Sequence, residues 1–337
     1  MKRVSQRDIA AKLKVNVSTV SRALRGLDGV SPELRQKIES LADEQGYHPN
    51  PFAMSLRYDT TRTIGIVVPD VSYSPYAHFV KYLEAEARKM GYMCIITDTN
   101  EHYENEKNCL ELLVNMHVEG IIMCLSQETT DYSHLLQLKQ HHIPLVLFDR
   151  ASDIDISSVV INDVDSAYQA TSYLIESGAR RIAFLGASNH VKQTSDRKHG
   201  YLKALRKHHL PIHKELIMCH PISFNSGLFD TIELLNLPEP PDALLATHGL
   251  LVGSSFQTIL SQGLRIPEDI SIIGYMSNWV SDMSTPRMTF VKQNLKEIAQ
   301  TTFQLLLDQM NGDDSVKHLT VKATLEIRES TRKVNNT

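Results

Sequence analysis

The sequence predicts two unlike parts: a small all-α head over residues 1–47, and a two-lobed α/β body with parallel sheets from residue 62 onward. Three observations predict this. At 337 residues the chain exceeds what one hydrophobic core usually serves. Its charge is uneven: the first 57 residues hold 10 Lys and Arg against 6 Asp and Glu, and the first 27 hold 7 against 1, although the whole chain carries −4. From Ile64 the apolar rhythm also changes, from helical spacing to strand-like runs alternating with helical stretches.

Composition removes several classes. A hydrophobic fraction of 42% and a charged fraction of 22% are those of a globular protein, not of a disordered or fibrous one. Cys94, Cys109, Cys124 and Cys219 show no CxxC spacing and read as reduced core residues. The paired histidines His141-His142 and His208-His209 diverge on a helix, so no metal is expected, and nothing calls for a cofactor. The basic start MKRVSQRDIA is followed by no apolar core, and no apolar run approaches membrane-spanning length. A cytoplasmic protein with no membrane partner is expected.

In the head, Ser5 with Asp8 three residues on reads as a helix start, and Ile9, Ala10 and Leu13 give that helix one apolar face. A turn at Lys14–Asn16 leads to a second helix over 17–24. Val20, Ala23 and Leu24 are its buried side, which leaves Ser18, Ser21, Arg22 and Arg25 as an outward stripe. Ser31-Pro32-Glu33 opens a third helix, carried to Gly46 by Leu34, Ile38, Leu41 and Ala42. The positive charge gathered on these helices suits a polyanion. His48-Pro49-Asn50-Pro51 then breaks the pattern, marking a linker over 48–61 with one short helix from Pro51 to Arg57.

In the body, TIGIVVPDV, MCIITDT, GIIMCL, PLVLFDR and SVVIND alternate with helices, as do RIAFLGA, ELIMCH, ALLATH and ISIIGYM. This is βαβ repetition, with parallel sheets covered on both faces. The series divides near Asn162. TFVKQN, a helix Leu295–Met310 and TVKATLEIRE are too few for a third domain, so they rejoin the two lobes. The expected lobes are 62–162 with 291–320, and 163–290 with 321–337. An enzyme, or a free ligand-binding protein, of the same architecture is the rival reading, but no GxSxG, GxGxxG, P-loop or HExxH motif occurs.

VSQRDIAAKLKVNVSTVSRALRG followed by PNPFAMSLR resembles the headpiece and hinge of the LacI/GalR (lactose-repressor) family of transcription regulators. IGIVVPDVSYSPY, VEGIIMC, PLVLFDR, SDRKHGYLKAL, IPEDISIIGY and LEIREST extend the likeness over nearly the whole chain. The resemblance implies a helix-turn-helix headpiece on a periplasmic-binding-protein-like sensor. It implies a non-enzymatic, sequence-specific DNA-binding regulator with repression as its default, whose operator affinity is set by a small polar effector such as a sugar or sugar derivative. A homodimer on a near-palindromic double-stranded operator is expected. The final RKVNNT carries no heptad pattern for further assembly.

Residue roles follow from the same likeness. Arg22 would read guanine while Val17 and Ser18 meet base edges and thymine methyls, with Arg25 on the same stripe. Ser5, Asn16, Thr19 and Ser21 would hold phosphates. Asn50 and Leu56 belong to the hinge, where Leu56 would wedge into the minor groove. In the sensor, the effector set is Tyr73, Tyr76, Ser126, Asp149, Arg197, Thr247, His248, Ser277 and Trp279. Asp149 would accept hydroxyl protons, Arg197 would donate, and the aromatics would stack. The chain departs from the family pattern at Lys14 (usually glycine), Asn16 (serine), Met54 (arginine), Thr247-His248 (Asn-Asp) and Met276-Ser277 (an acidic pair). With fewer carboxylates facing Arg197, an effector bearing an anionic group is expected, ahead of a neutral sugar.

Overall fold

The computed structural model describes residues 4–47, 60–152 and 154–334, with the main chain alone at residue 279. The expected short hinge helix, with Asn50, Met54 and Leu56, lies outside the described residues. Head and body are two compact units divided after Thr61.

The head is three helices, α1 (Gln6–Leu13), α2 (Val17–Leu24) and α3 (Pro32–Glu44). Ser5 and Asp8 close a reciprocal capping box on α1, and Ser31 accepts from Leu34 N to open α3 behind Pro32. Lys14 ends α1 in the left-handed conformation, at φ 53° and ψ 40°, the region glycine enters without strain. Asn16 precedes α2 in extended backbone, but its side chain makes no capping bond. Ile9, Ala10, Val20, Ala23, Ile38 and Ala42 form the shared core.

In the body, the first sheet contains β1 (Thr63–Val68), β2 (Met93–Asp98), β3 (Gly120–Met123), β4 (Leu145–Phe148) and β5 (Ser158–Ile161). Their crossovers run through α4 (Ser74–Lys89), α5 (Tyr103–Asn115) and α6 (Ser133–Gln140). After Asn162 the chain enters α7 (Asp163–Glu176), β6 (Ile182–Gly186), α8 (Lys192–Lys207), β7 (Ile217–Cys219), α9 (Phe224–Leu235), β8 (Ala243–Ala246), α10 (Gly249–Ser261) and β9 (Ser271–Tyr275). A short helix α11 (Asn278–Met283), which the periodicity did not reveal, leads to β10 (Thr289–Lys292). Then come α12 (Leu295–Met310), β11 (His318–Val321) and β12 (Thr324–Glu326).

The two six-stranded sheets run β11-β5-β4-β3-β1-β2 and β12-β10-β9-β8-β6-β7. Every pairing is parallel except β12 with β10. Interior strands such as β1 and β6 are buried at every position, as helices on both faces require. The run TVKATLEIRE splits: β11 joins the first sheet and β12 the second, with only Lys322 and Ala323 between them. β10 lies wholly in the second sheet, so the return to the first lobe falls after Lys292 rather than at 291.

Candidate functional site

On the head, the outer side of α2 gathers the polar and basic residues. Val17 is 40% exposed, Ser18 and Arg22 are exposed, and Thr19 is half-buried. The Arg22 guanidinium lies over Gly29, whose built Cβ would be 3.8 Å from it, while Arg35 Nη2 holds the same loop through Leu27 O at 2.6 Å. Arg25 folds back, its Nε donating to Ser21 O at 3.0 Å. Ser21 is a correction: it is 4% exposed and does not belong to the outward stripe. It follows Val20 directly on the helix, and its small side chain is covered where Arg22, a further 100° round, emerges. Ser5 is exposed, but its hydroxyl is committed to Asp8, donating to Oδ2 at 2.6 Å. Asn16 is exposed and not spent on capping.

In the body, the C-terminal ends of β1, β4, β6, β8 and β9 converge on one cavity between the two sheets, where a parallel α/β fold presents ligand-facing groups. Tyr73, Tyr76, Phe79, Phe148, His248 and Tyr275 supply aromatic walls, and Asp149, Gln193, Arg197 and Thr247 supply polar ones. The walls leave a cavity of about 20 Å³, space for one water.

Asp149 follows β4 in the left-handed region at φ 58°, a strained placement of the kind found at functional sites. Tyr76 Oη donates to its Oδ2 at 3.1 Å, and Gln193 Nε2, from the other lobe, donates to Oδ1 at 2.8 Å. Burial pushes the Tyr76 hydroxyl well above its ordinary range.

Arg197, on α8, is 2% exposed. Its Nε donates to Asp163 Oδ1 at 2.6 Å, Nη1 donates to Thr247 O, and the guanidinium sits 3.8 Å above the Tyr275 ring. Nη2 is buried with no hydrogen-bond partner among the described residues. Burial pushes the Asp163 carboxyl up to about 7, against the pull of Arg197. Arg197 therefore has a carboxyl partner within the protein, and an anionic effector is not required to pair it.

Tyr73 and His248 stack across the cleft with centroids 4.3 Å apart and planes at 18°, and Gly249 N donates to Tyr73 Oη at 3.0 Å. Burial holds the His248 imidazole well below its usual range, helped by Arg150 and Arg197. Its Nδ1 accepts from Leu250 N at 3.3 Å, which leaves the neutral ring's proton on Nε2. Burial also raises the Tyr73 hydroxyl to about 12.

Two expected residues stand elsewhere. Ser126 is buried away from the cavity: its Oγ lies 2.8 Å from Thr129 Oγ1, and its amide donates to the wholly buried Glu106 at 2.7 Å. Ser277 lies outside the cavity lining, accepting at Oγ from Ser74 Oγ across the lobes at 3.0 Å. The side chain of Trp279 is outside the described residues. Asp163, Gln193 and Tyr275 were missed, since each is placed by pairing over long sequence separation. Asp163 did carry one signal, its position directly after the division at Asn162. Among the described residues no acidic, histidine or cysteine cluster could hold a metal ion, and no helix is long and apolar enough to cross a membrane.

Comparison with known proteins places both parts of the chain in one family. Residues 6–50 match the family model for bacterial regulatory proteins of the lacI family, and residues 61–324 match that for periplasmic binding proteins and the sugar binding domain of the LacI family. The HTH-type transcriptional repressor CytR of Escherichia coli K12 is 30% identical over 309 residues, covering 91% of this chain and 90% of CytR. The catabolite control protein A of Priestia megaterium is 29% identical, covering 96% and 98%. A solved structure of the lac repressor dimer bound to operator and the anti-inducer ONPF superposes with a TM-score of 0.88 at 23% identity, covering 98% of this chain and 100% of that one, a likeness of fold. A transcriptional regulator CelR–cellobiose complex gives a TM-score of 0.74 at 26% identity, covering 97% and 100%. A helical head with an exposed basic α2, a two-lobed body with a polar cleft, and family matches to both parts lead to one statement: the chain belongs to the LacI family of DNA-binding transcriptional regulators, not to a family of enzymes.

Proposed function

We propose that this chain is a cytoplasmic repressor that binds a near-palindromic operator as a homodimer and is controlled by a small polar effector held between the two lobes of its body. In this reading Arg22, Ser18 and Val17 meet base edges, while Asn16 and Thr19 hold phosphates; Ser5 contributes only by giving up its bond to Asp8. The first lobe comprises residues 62–162 with 293–321, and the second residues 163–292 with 322–334.

The buried, unpartnered Nη2 of Arg197 at the cavity carries the effector reading, since such a donor is costly unless a ligand oxygen completes it. Asp163 supplies the counter-charge, so the completing oxygen belongs to an uncharged polar group. Aromatic walls with few polar groups fit a sugar or sugar derivative lying with its apolar face on a ring. The cellobiose bound by one structural relative points the same way.

Two measurements test this. Selection of DNA sites by the full chain should return a near-palindrome, and Arg22→Ala should lose that preference while its body stays folded; the same enriched sequence at the same affinity would remove Arg22 as a base reader. A thermal-shift screen of sugars and sugar derivatives should give hits that Arg197→Met loses. Hits that survive this change would refute the arginine's role.

A further inference from the structure

Outside the effector cavity, one residue spans the two lobes three times. Gln127 lies in the loop after β3 and faces Ile222, just before the Ser223 cap of α9. Its Oε1 accepts from Ile222 N at 2.6 Å, and its Nε2 donates to Ile222 O at 3.3 Å. The carboxamide thus pairs both main-chain groups of one residue, as a neighbouring strand would. Its own carbonyl accepts from His190 Nε2 of the second lobe at 2.6 Å.

The first-lobe end of this clasp is anchored. Gln127 N donates to Glu101 Oε2 at 2.7 Å. Glu101 takes both terminal nitrogens of Arg150 at 2.6 and 2.8 Å, and Arg150 also donates to Leu125 O at 3.2 Å. Arg150 is 2% exposed and follows Asp149, the carboxylate of the effector cavity. A rigid chain of bonds therefore leads from the cavity to the clasp, while neither Gln127 nor His190 lines the cavity.

We propose that Gln127 is a closure latch: a positioning residue that, with His190, sets how firmly the lobes shut and therefore how far cleft closure is transmitted to operator binding. Its operator consequence rests on the function proposed above; its effect on closure does not.

The test uses the full chain with Gln127→Ala and, separately, His190→Ala, an exposed substitution that keeps the question answerable if the first variant folds poorly. The readout is hydrogen exchange of the Gly249 amide. That amide bonds Tyr73 Oη across the lobes and touches neither substituted residue. If the latch governs closure, exchange at Gly249 accelerates about tenfold in Gln127→Ala, the loss expected from two modest hydrogen bonds, and less in His190→Ala, which removes one. Amides of the β8–β9 pairing stay protected. Gly249 protection equal to wild type in both variants overturns the latch. Affinity for a site selected by the wild-type chain is then measured without effector. A shift of about threefold or more in Gln127→Ala supports transmission to DNA. Faster exchange at Gly249 with unchanged affinity overturns the transmission while leaving the latch, and failure to select any site counts against the proposed function alone.

Discussion

Removing one side of the Asp163–Arg197 pair should cost far more than removing the other. The two side chains are 6% and 2% exposed, so neither charge is solvated by water. In Asp163→Asn the guanidinium keeps Thr247 O and the Tyr275 ring but loses the carboxylate it is bonded to, and an arginine cannot shed its proton. Breaking a buried pair in this way costs about 3–5 kcal/mol, and the retained contacts place this case near 3. In Arg197→Met the carboxyl that remains is one whose pKa burial already raises, and without the arginine's opposing pull it rises further. At pH near 8 it takes up a proton at small cost, while methionine fills the space beside Tyr275, so the loss is about 1–2 kcal/mol. Urea unfolding of the body, followed by far-UV circular dichroism at that pH, compares the two. An Arg197→Met loss equal to or larger than that of Asp163→Asn refutes the argument.

Two further outcomes concern backbone and packing. Lys14→Gly removes the side chain from a left-handed position and should stabilise the head by about 0.5–1 kcal/mol, read as a higher midpoint of its thermal transition; an unchanged or lower midpoint would show that Lys14 is not strained there. In Gly200→Ala the new Cβ would lie 2.1 Å from Val164 O and 2.9 Å from Tyr168 N, where α7 and α8 touch, so the body should lose about 3 kcal/mol or more. Wild-type stability in calorimetry would mean that the two helices part freely.

Local and periodic features were legible in the sequence because their physics is local. Ser5 with Asp8, and Ser31 ahead of Pro32, cap the helices they announced, and apolar runs such as TIGIVV and IAFLG became interior parallel strands. What stayed hidden depends on partners far along the chain. Asp163 and Arg197 are separated by 34 residues, and Gln127 and Ile222 by 95, so neither the neutralised arginine nor the clasp leaves a spacing signal. Ser126 sits after a strand end on the cleft side, yet buried Glu106 claims its amide and holds its hydroxyl beside Thr129. Ser21 shows the limit of periodicity itself, since a small polar residue at the flank of an apolar stripe is covered by its neighbours.

The split of the last strands constrains how the body can move. The chain passes between lobes at Asn162, again at Gln293-Asn294, and a third time at Lys322-Ala323. Asn162 Oδ1 also accepts from Ala323 N at 2.7 Å, tying the first passage to the third. Two extended residues reach only about 7 Å, so the lobes have no freedom to draw apart along the line joining them. What remains is swing, as in a book bound at the spine, with small angular changes becoming large displacements at the free edges. Neither lobe is a continuous stretch of sequence, so neither can be excised as a single fragment, and a cut at one passage leaves two others to carry the load.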